Sequence, residues 1–238
     1  MKESNKTKKI SEGKTFAVPF ALEKIKENIT IITNTASKPS KEEIFNQAFK
    51  FHSQGNISEA AKYYQYCISQ GSQDYRVFSN YGVILKKLGK LKEAELSQRK
   101  AIELQPDLAD AYYSLAFIEL LKGDYKSGLE NYEFRKKLKL RKPILPHGNT
   151  KITSIDQEKL SKGEKLLVIS EQGLGDTLQY MRYIPYLRSQ GLDVSFCAPE
   201  KLHTLIKASG IDQNPLTPQQ STLVSEGQWI PLLSLTRY

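Results

Sequence analysis

Residue types that build disulfides, metal centres and membrane spans are scarce in this sequence. The 238 residues include two cysteines and three histidines. Cys67 and Cys197 lie far apart, and neither has a second cysteine or a histidine at a metal-ligand spacing. No apolar run approaches the roughly 18 residues that a membrane-spanning helix requires, and the N-terminus lacks the apolar core of a signal peptide. We therefore expect a cytoplasmic protein with no membrane span, disulfide, metal site or cofactor.

The net charge of +9 is unevenly distributed along the chain. Residues 1–40 contain eight lysines against four glutamates, whereas residues 143–238 contain nine basic and nine acidic residues. A basic surface can attract an anionic polymer. The N-terminal segment lacks arginine and interleaved aromatic residues, however, and lysine-rich tails are commonly solvated. We interpret residues 1–40 as a largely disordered basic tail, and this composition disfavours nucleic acid as a partner.

A period of 34 residues runs through the middle of the chain. Gly55, Gly89 and Gly123 are spaced by this period, and each is followed by a polar residue, an apolar residue and, at a fixed offset, a small residue. Glycine is well suited to end a helix because it adopts a positive φ at little cost. Small residues let two helices approach closely, and a single helical pair cannot bury its own apolar face, so about three units must stack. The predicted units are residues 41–74, 75–108 and 109–142.

This pattern resembles the tetratricopeptide repeat. In that family the first helix of each unit lines a concave groove that holds a partner protein or peptide. The resemblance places the following residues on the groove: Asn46, Phe49, Arg76, Asn80, Lys87, Tyr113 and Phe117.

Two of these residues allow a finer interpretation. Asn46 and Asn80 match an asparagine ladder found in some repeat-bearing glycosyltransferases, in which each amide can donate to and accept from a peptide backbone. The alternative is that asparagine is simply common at this helix position. Phe45 and Phe49 stand where the lysine and asparagine residues of chaperone-tail-binding repeats would begin, so a chaperone tail is not the expected ligand.

The basic run from Arg135 to Lys142 ends the third unit. Basic side chains at the C-terminus of a helix complement its dipole. We interpret the run as a solvated helix end, and the alternative is a patch for an acidic partner or a diphosphate.

The composition changes after Lys142. Proline, glycine and asparagine at positions 143–149 mark a linker, which we extend to residue 164. The apolar run 165–170 indicates a buried strand, and a glycine-containing turn leads into a helical pattern in which Pro185 predicts a kink or a break. A further strand at 193–198, a helix at 200–209 and a strand at 228–235 complete the start of an open α/β sheet.

Residues 170–187, and above all the block Glu-Gln-Gly-Leu-Gly-Asp at 171–176, resemble the N-terminal domain of bacterial GT-B glycosyltransferases of the heptosyltransferase type. Residues 132–135 and 229–235 also resemble pieces of that family. The resemblance implies that Asp176 is the general base for an acceptor hydroxyl. It implies a site for a nucleotide-sugar or a glycan acceptor at Gly173, Gly175, Asp176, Thr177 and Gln179. The alternatives are that an acid suits the first turn of a helix and that glycines permit a tight connection.

The predicted fold is therefore α followed by α/β: a tetratricopeptide solenoid over 41–142 and an incomplete Rossmann-like segment over 165–238. A GT-B enzyme needs a second Rossmann-like domain, and this chain stops at Tyr238 with its first sheet unfinished. Our leading hypothesis is a protein- or peptide-binding module attached to a truncated glycosyltransferase-like domain that is not catalytic alone. The alternative is a glycosyltransferase subunit completed by another chain, so the question of enzymatic activity stays open.

Overall fold

The computed structural model describes residues 39–138, 153–154, 161–171 and 173–237. Nearly all of the predicted basic tail and most of the predicted linker lie outside these residues. The chain divides into two compact units between Ser114 and Leu115. The division falls inside a helix of the third predicted repeat. Within the described residues, no helix has the length and the apolar character that crossing a bilayer would require.

The first unit is a series of helices joined by short turns. Its helices are α1 (Lys41–Ser53), α2 (Ile57–Ser69), α3 (Tyr75–Lys87), α4 (Leu91–Leu104) and the first part of α5 (Ala109–Lys122). α1 packs against α2, α2 against α3, and α3 against α4. Gly55 and Gly89 follow the first helix of each pair with φ values of 76° and 74°, as the period predicted. The helical, solenoid-like arrangement expected for this part of the chain is confirmed.

Polar side chains define where these helices begin. The Ser40 hydroxyl accepts from the Glu43 amide while the Glu43 carboxylate accepts from the Ser40 amide, which is a capping box at the start of α1. Asn56 and Asp74 cap α2 and α3 with their side-chain oxygens. The helix boundaries therefore follow from local sequence.

The small residues allow the close helix packing that the period predicted. Ala48 and Ala60 are fully buried. A Cβ atom on Gly82 would lie 2.6 Å from Nε2 of Gln98 in α4, so only glycine fits there without rearrangement. Gln98 occupies the position of Tyr64 one repeat earlier. Both are buried, and the Tyr64 hydroxyl and the Gln98 Oε1 have no hydrogen-bond partner in the described part of the chain.

The second unit contains the end of the third predicted repeat and a small parallel sheet. Its elements are the remainder of α5, α6 (Tyr125–Tyr132), a 3-10 helix (Glu133–Lys137), β1 (Thr153–Ser154), β2 (Lys165–Ile169), α7 (Leu174–Tyr180), α8 (Tyr183–Ser189), β3 (Asp193–Cys197), a 3-10 helix (Glu200–Leu202), α9 (His203–Ala208), α10 (Pro218–Ser221), β4 (Gln228–Pro231) and a 3-10 helix (Leu232–Arg237). The strand order is β1-β4-β2-β3 and all pairs are parallel.

Both faces of this sheet contact apolar side chains. One face places Val168 and Phe196 against a cluster that includes Ile184 of α8 and Ile206 of α9. The other face carries Leu167, Ile169 and Cys197, which pack with Leu216, Val224 and Trp229. Burial on both faces explains why β2 is a continuous apolar run instead of an alternating one.

The sheet segment differs from the sequence prediction in three places. β1 lies inside the interval 143–164 that was predicted to be a linker. The predicted strand 228–235 ends at Pro231 and continues as a 3-10 helix. The predicted helical break occurs at Met181 and Arg182, because Pro185 has no N–H to donate to the carbonyl of Met181, which accepts instead from Ile184.

Candidate binding groove and glycine turn

Arg76 is the most constrained of the predicted groove residues. Its Nε donates to both carboxylate oxygens of Asp74 at 3.1 and 2.9 Å. Nη1 donates to Glu42 at 3.3 Å, and Nη2 donates to Glu42 at 2.8 Å and to Asp74 at 2.6 Å. These hydrogen bonds raise the pKa of Arg76, and those to Asp74 contribute more than those to Glu42. Burial acts to raise the pKa of Asp74, but the hydrogen bonds and the charge of Arg76 outweigh it and lower that pKa.

An aromatic pair lies beside this ion pair on α1. The guanidinium carbon of Arg76 lies 4.4 Å from the centroid of the Phe45 ring. Phe45 is buried, contrary to its expected groove position, because it also packs against Tyr64 with the centroids 6.1 Å apart. Phe49 stacks on Phe45 at 6.3 Å between centroids, yet 52% of its surface stays exposed. Phe49 is therefore an exposed ring fixed on one side by a buried one.

The two predicted asparagines have different surroundings. Asn46 is exposed on α1. Asn80 is half-buried, and its Nδ2 donates to the backbone oxygen of Arg76 at 2.9 Å. Part of the Asn80 amide is therefore used within its own helix, which weakens the analogy with an asparagine ladder.

The remaining predicted groove residues are divided between the two units. Lys87 is exposed at the end of α3. The pKa of His52 on α1 is lowered, first by the burial of His52 and second by the charge of Lys87. Tyr113 is half-buried in the first unit. Phe117 belongs to the second unit, where its ring meets that of Tyr132 edge-on at 5.8 Å.

The predicted ligand site in the second unit follows β2 at the carboxyl edge of the sheet. A Cβ atom on Gly173 would contact only Oδ2 of Asp176, at 3.7 Å, and one on Gly175 would meet nothing within 4 Å. Neither glycine has a positive φ. The connection between strand and helix therefore does not require glycine at either position, in contrast to the tight-turn interpretation.

Of the other residues predicted for this site, Asp176 is half-buried and Gln179 is exposed on α7. In the part of the chain that the structure describes, the Asp176 carboxylate makes no hydrogen bond. Thr177 does not face a ligand site: it is buried, and its hydroxyl is bonded to the Ser170 hydroxyl and, at 3.2 Å, to the Gly173 oxygen. Thr177 stabilises the turn instead of contacting solvent.

A buried ionic cluster, which the sequence did not predict, connects three segments of the second unit. We call Arg135, Glu133, Glu171 and Ser234 the Arg135 cluster. Arg135 donates to Glu171 through Nη2 at 2.6 Å and Nε at 3.2 Å, to Glu133 through Nη1 at 2.6 Å and to the Ser234 hydroxyl at 2.8 Å. Only 1% of the side chain of Arg135 and 1% of that of Glu171 are exposed. The interpretation of residues 135–142 as a solvated helix end is therefore wrong for Arg135.

The Arg135 cluster also changes the pKa of Glu133. Burial acts to raise the pKa of Glu133, but the charge of Arg135 and the hydrogen bonds of Lys136 and Arg135 outweigh it and lower that pKa. The backbone N–H of Leu233 adds a hydrogen bond to Glu171 at 3.3 Å. The segments 132–135, 171–176 and 229–235 were noted above because each resembles part of the same family. In the structure each of them contributes a side chain to the Arg135 cluster.

Comparisons with known proteins concern the repeats. Residues 75–108 match the family model of the tetratricopeptide repeat. The Hsp70–Hsp90 organizing protein of Triticum aestivum is 31% identical over 88 residues, which are 37% of this chain and 15% of that protein. The chain thus spans about 15% of the length of this curated relative.

Solved structures that match this chain do so with low TM-scores. The TPR2B domain of yeast Sti1, from its pHsp70 complex, is 28% identical, with 41% of this chain and 78% of that chain covered and a TM-score of 0.38. The Yersinia enterocolitica type III secretion translocator chaperone SycD is 19% identical, with 44% and 79% covered and a TM-score of 0.39. The family match ends at residue 108 and does not reach the glycine turn or the sheet. The matched residues 75–108 are one period of 34 residues, with the bounds that the sequence predicted for the second unit.

Proposed function

We propose that the repeats are a binding module that holds a segment of a partner protein against α1 and α3. The observation that carries this proposal is the exposed Phe49 ring, which is stacked on Phe45, itself covered by the guanidinium of Arg76. An exposed aromatic ring on a rigid support is typical of a binding surface, because little conformational entropy is lost when a partner covers it. The wheat relative, whose name describes the organisation of Hsp70 and Hsp90, agrees with a protein-binding role in general.

The test is selection of peptides by the full chain. A random twelve-residue library displayed on phage is panned against the protein, and synthetic versions of the selected peptides are measured by fluorescence anisotropy. Burying an aromatic side chain contributes about 1.5–3 kcal/mol, so Phe49→Ser should weaken binding by roughly 10- to 100-fold. Leu96→Ser is the matched control, since Leu96 is 56% exposed on α4, the second helix of its repeat.

The control defines what would overturn the proposal. Leu96→Ser should change the affinity by less than about twofold, and circular dichroism should show unchanged helicity in both variants. Selection of no peptide, or equal weakening by the two substitutions, would contradict a groove on α1 and α3.

A second candidate function belongs to the glycine turn. We propose that the carboxyl edge of the sheet accepts a nucleotide-sugar or a glycan acceptor at Gly173, Gly175 and Gln179, with Asp176 as the base that takes a proton from an acceptor hydroxyl. The specific observation is that the fold does not need either glycine, which suggests that the glycines serve the approach of another molecule. A base must lie within hydrogen-bond reach of the proton that it removes, and the Asp176 carboxylate is not occupied by another described residue.

Alanine at Gly175 distinguishes a ligand site from a tight turn. Because Gly175 lies inside α7 with room for a Cβ atom, Gly175→Ala should stabilise the protein by about 0.5–1 kcal/mol. Binding of UDP-, GDP- and ADP-glucose is measured by isothermal titration calorimetry. The proposal requires that at least one of them binds the wild type and that Gly175→Ala weakens it despite the higher stability. A wild type that binds none of them at millimolar concentration rules out the donor part of this proposal.

A further inference from the structure

The surface around Arg76 is poorly suited to bind a carboxylate, although it contains an arginine. Each of the three guanidinium nitrogens of Arg76 already donates to Asp74 or Glu42. A bidentate interaction needs two parallel N–H groups on one edge of the guanidinium. A carboxylate from a partner would therefore have to displace Asp74, which also caps α3, or Glu42.

The charges nearby add to this effect. Glu42, Arg76 and Asp110 occupy the same position in successive repeats. Asp110 is exposed, and 57% of the Glu42 side chain is exposed. With Asp74, three carboxylates stand against one guanidinium at the N-terminal ends of α1, α3 and α5, while Lys41 and Glu43 beside them offset each other. This end of the groove attracts cations and repels anions.

The exposed ring and the acidic end lie on one face of α1 at a defined distance. Residues seven apart in a helix share a face and are about 10 Å apart along the axis, and Glu42 and Phe49 have this separation. Asn46 lies between them on the same face and offers an exposed amide. An extended chain covers about 10 Å in three residues. A bound segment could therefore place an apolar side chain on Phe49 and, three residues away, a basic side chain near Glu42.

We infer that the groove takes an extended peptide segment with an apolar anchor and a lysine or arginine three residues from it, and that it rejects acidic C-terminal tails. This inference rests on the proposed peptide-binding function. The anchor packs on Phe49, and the Asn46 amide is available to the peptide backbone. Glu42 selects the basic residue, because a carboxylate has about four acceptor sites and each of its oxygens accepts one hydrogen bond from Arg76. The groove would thus prefer a positively charged peptide to a negatively charged one.

An oriented peptide library tests the charge preference on the full chain. Nonapeptides carry phenylalanine at the central position and degenerate residues elsewhere, and bound peptides are sequenced. Since an exposed ion pair contributes about 0.2–1 kcal/mol, lysine and arginine should be enriched by roughly two- to fivefold three residues from the anchor, on one side of it. Glu42→Gln should remove this enrichment, while peptides with the central phenylalanine still bind. Phe49→Ser should reduce the amount of the whole library that binds.

An acidic probe completes the experiment. The probe is the heptapeptide Ser-Arg-Met-Glu-Glu-Val-Asp with a free carboxyl terminus, an Hsp90 peptide that the second TPR of Spaghetti binds in a solved complex. Measured by anisotropy, it should bind at least tenfold more weakly than the best selected nonapeptide. Equal or tighter binding, or enrichment of aspartate and glutamate three residues from the anchor, would overturn the inference and leave the proposed function intact. If no peptide binds, the proposed function fails, and the inference fails with it.

Discussion

Substitution of Arg135 by methionine is the sharpest test of how the second unit is held together. The change keeps most of the length and the apolar stem of the side chain and removes its charge. Glu171, whose side chain is 1% exposed, would then lose its counter-ion. Glu133, whose side chain is 14% exposed, would keep the counter-ions Lys136 at 2.6 Å and Arg237 at 3.6 Å. The Ser234 hydroxyl would also lose a donor.

The expected magnitude follows from this burial. A complete buried ion pair adds little net stability, because the attraction between the charges mainly offsets the cost of removing them from water. Removing one partner is different, since it leaves the other charge buried and costs about 3–5 kcal/mol. Arg135→Met should therefore lower the free energy of unfolding by about 3–5 kcal/mol. Arg182→Met is the control: Arg182 is exposed, and its loss should change stability by less than about 0.5 kcal/mol.

Urea unfolding followed by tryptophan fluorescence is the suitable assay. Trp229 is the single tryptophan of the chain and lies on β4, so its emission reports on the second unit. Should Arg135→Met be too unstable to purify, Glu171→Gln provides a milder form of the same test, since it keeps the shape of the side chain and leaves Arg135 paired with Glu133.

The pH dependence provides an independent check. Because the folded pKa of Glu133 lies below its usual value, this carboxylate contributes stability above its unfolded pKa, near 4.3, and loses that contribution as the pH falls through the folded pKa. In Arg135→Met the charge of Arg135, the largest cause that lowers the pKa of Glu133, is absent, so the variant has less of this stability to lose in acid. The stability difference between wild type and variant should therefore narrow below about pH 5. A loss of less than about 1 kcal/mol at pH 7, with no narrowing in acid, would refute the role assigned to the Arg135 cluster.

Four further substitutions test the packing and the backbone conformation. Gly227→Ala should lower the free energy of unfolding by about 3–4 kcal/mol, because φ is 87° and the new Cβ would lie 2.2 Å from the backbone oxygen of Lys165. Gly210→Ala is the control: φ is 74° and no neighbour lies within 4 Å, so the loss in the same urea titration should be only about 1–2 kcal/mol. Gln98→Met should raise stability by about 1 kcal/mol in thermal unfolding followed at 222 nm, since the gain from removing a buried amide oxygen that lacks a partner exceeds the loss of the 2.9 Å hydrogen bond from Nε2 to the Ser79 oxygen. A clear loss of stability would contradict this balance. Gly89→Val should lower the same helical transition by about 1–3 kcal/mol, as φ is 74°, and an unchanged transition would count against the alignment of the repeats.

The parts of the fold that sequence could predict are those that depend on local pattern. The period placed Gly55 and Gly89 at the ends of the first helices, and both have positive φ values. The small residue at Gly82 was expected from helix packing, and Gln98 fills the space that its missing side chain leaves. The break before Pro185 follows from the missing N–H of proline. Each of these features is determined within one repeat or one helix.

The features that sequence analysis missed depend on contacts between distant residues. Arg135 begins a basic run, and nothing local distinguishes it from its exposed neighbours Lys136 and Lys137; its burial depends on Glu171, which is 36 residues away. β1 is two residues long and has no apolar run to mark it.

The candidate sites were also only partly predictable. Phe49, which was predicted to line the groove, is exposed, whereas Phe45 is buried because Tyr64 packs on it. Thr177 was expected at the ligand site and instead bonds to Ser170. In both cases the residue type and spacing were correctly noted, and the direction of the side chain depended on a tertiary partner.

The Arg135 cluster has a consequence for how a chain of this kind can change in length. Repeat arrays grow and shrink by whole units, because each unit contacts only its neighbours. A 34-residue unit inserted or deleted before Ala109 would leave the Arg135 cluster intact. Loss of the final unit would remove Arg135 and leave Glu171 buried without a counter-ion beside the glycine turn. We therefore expect the terminal repeat and the sheet to be retained together, while the number of earlier repeats can vary.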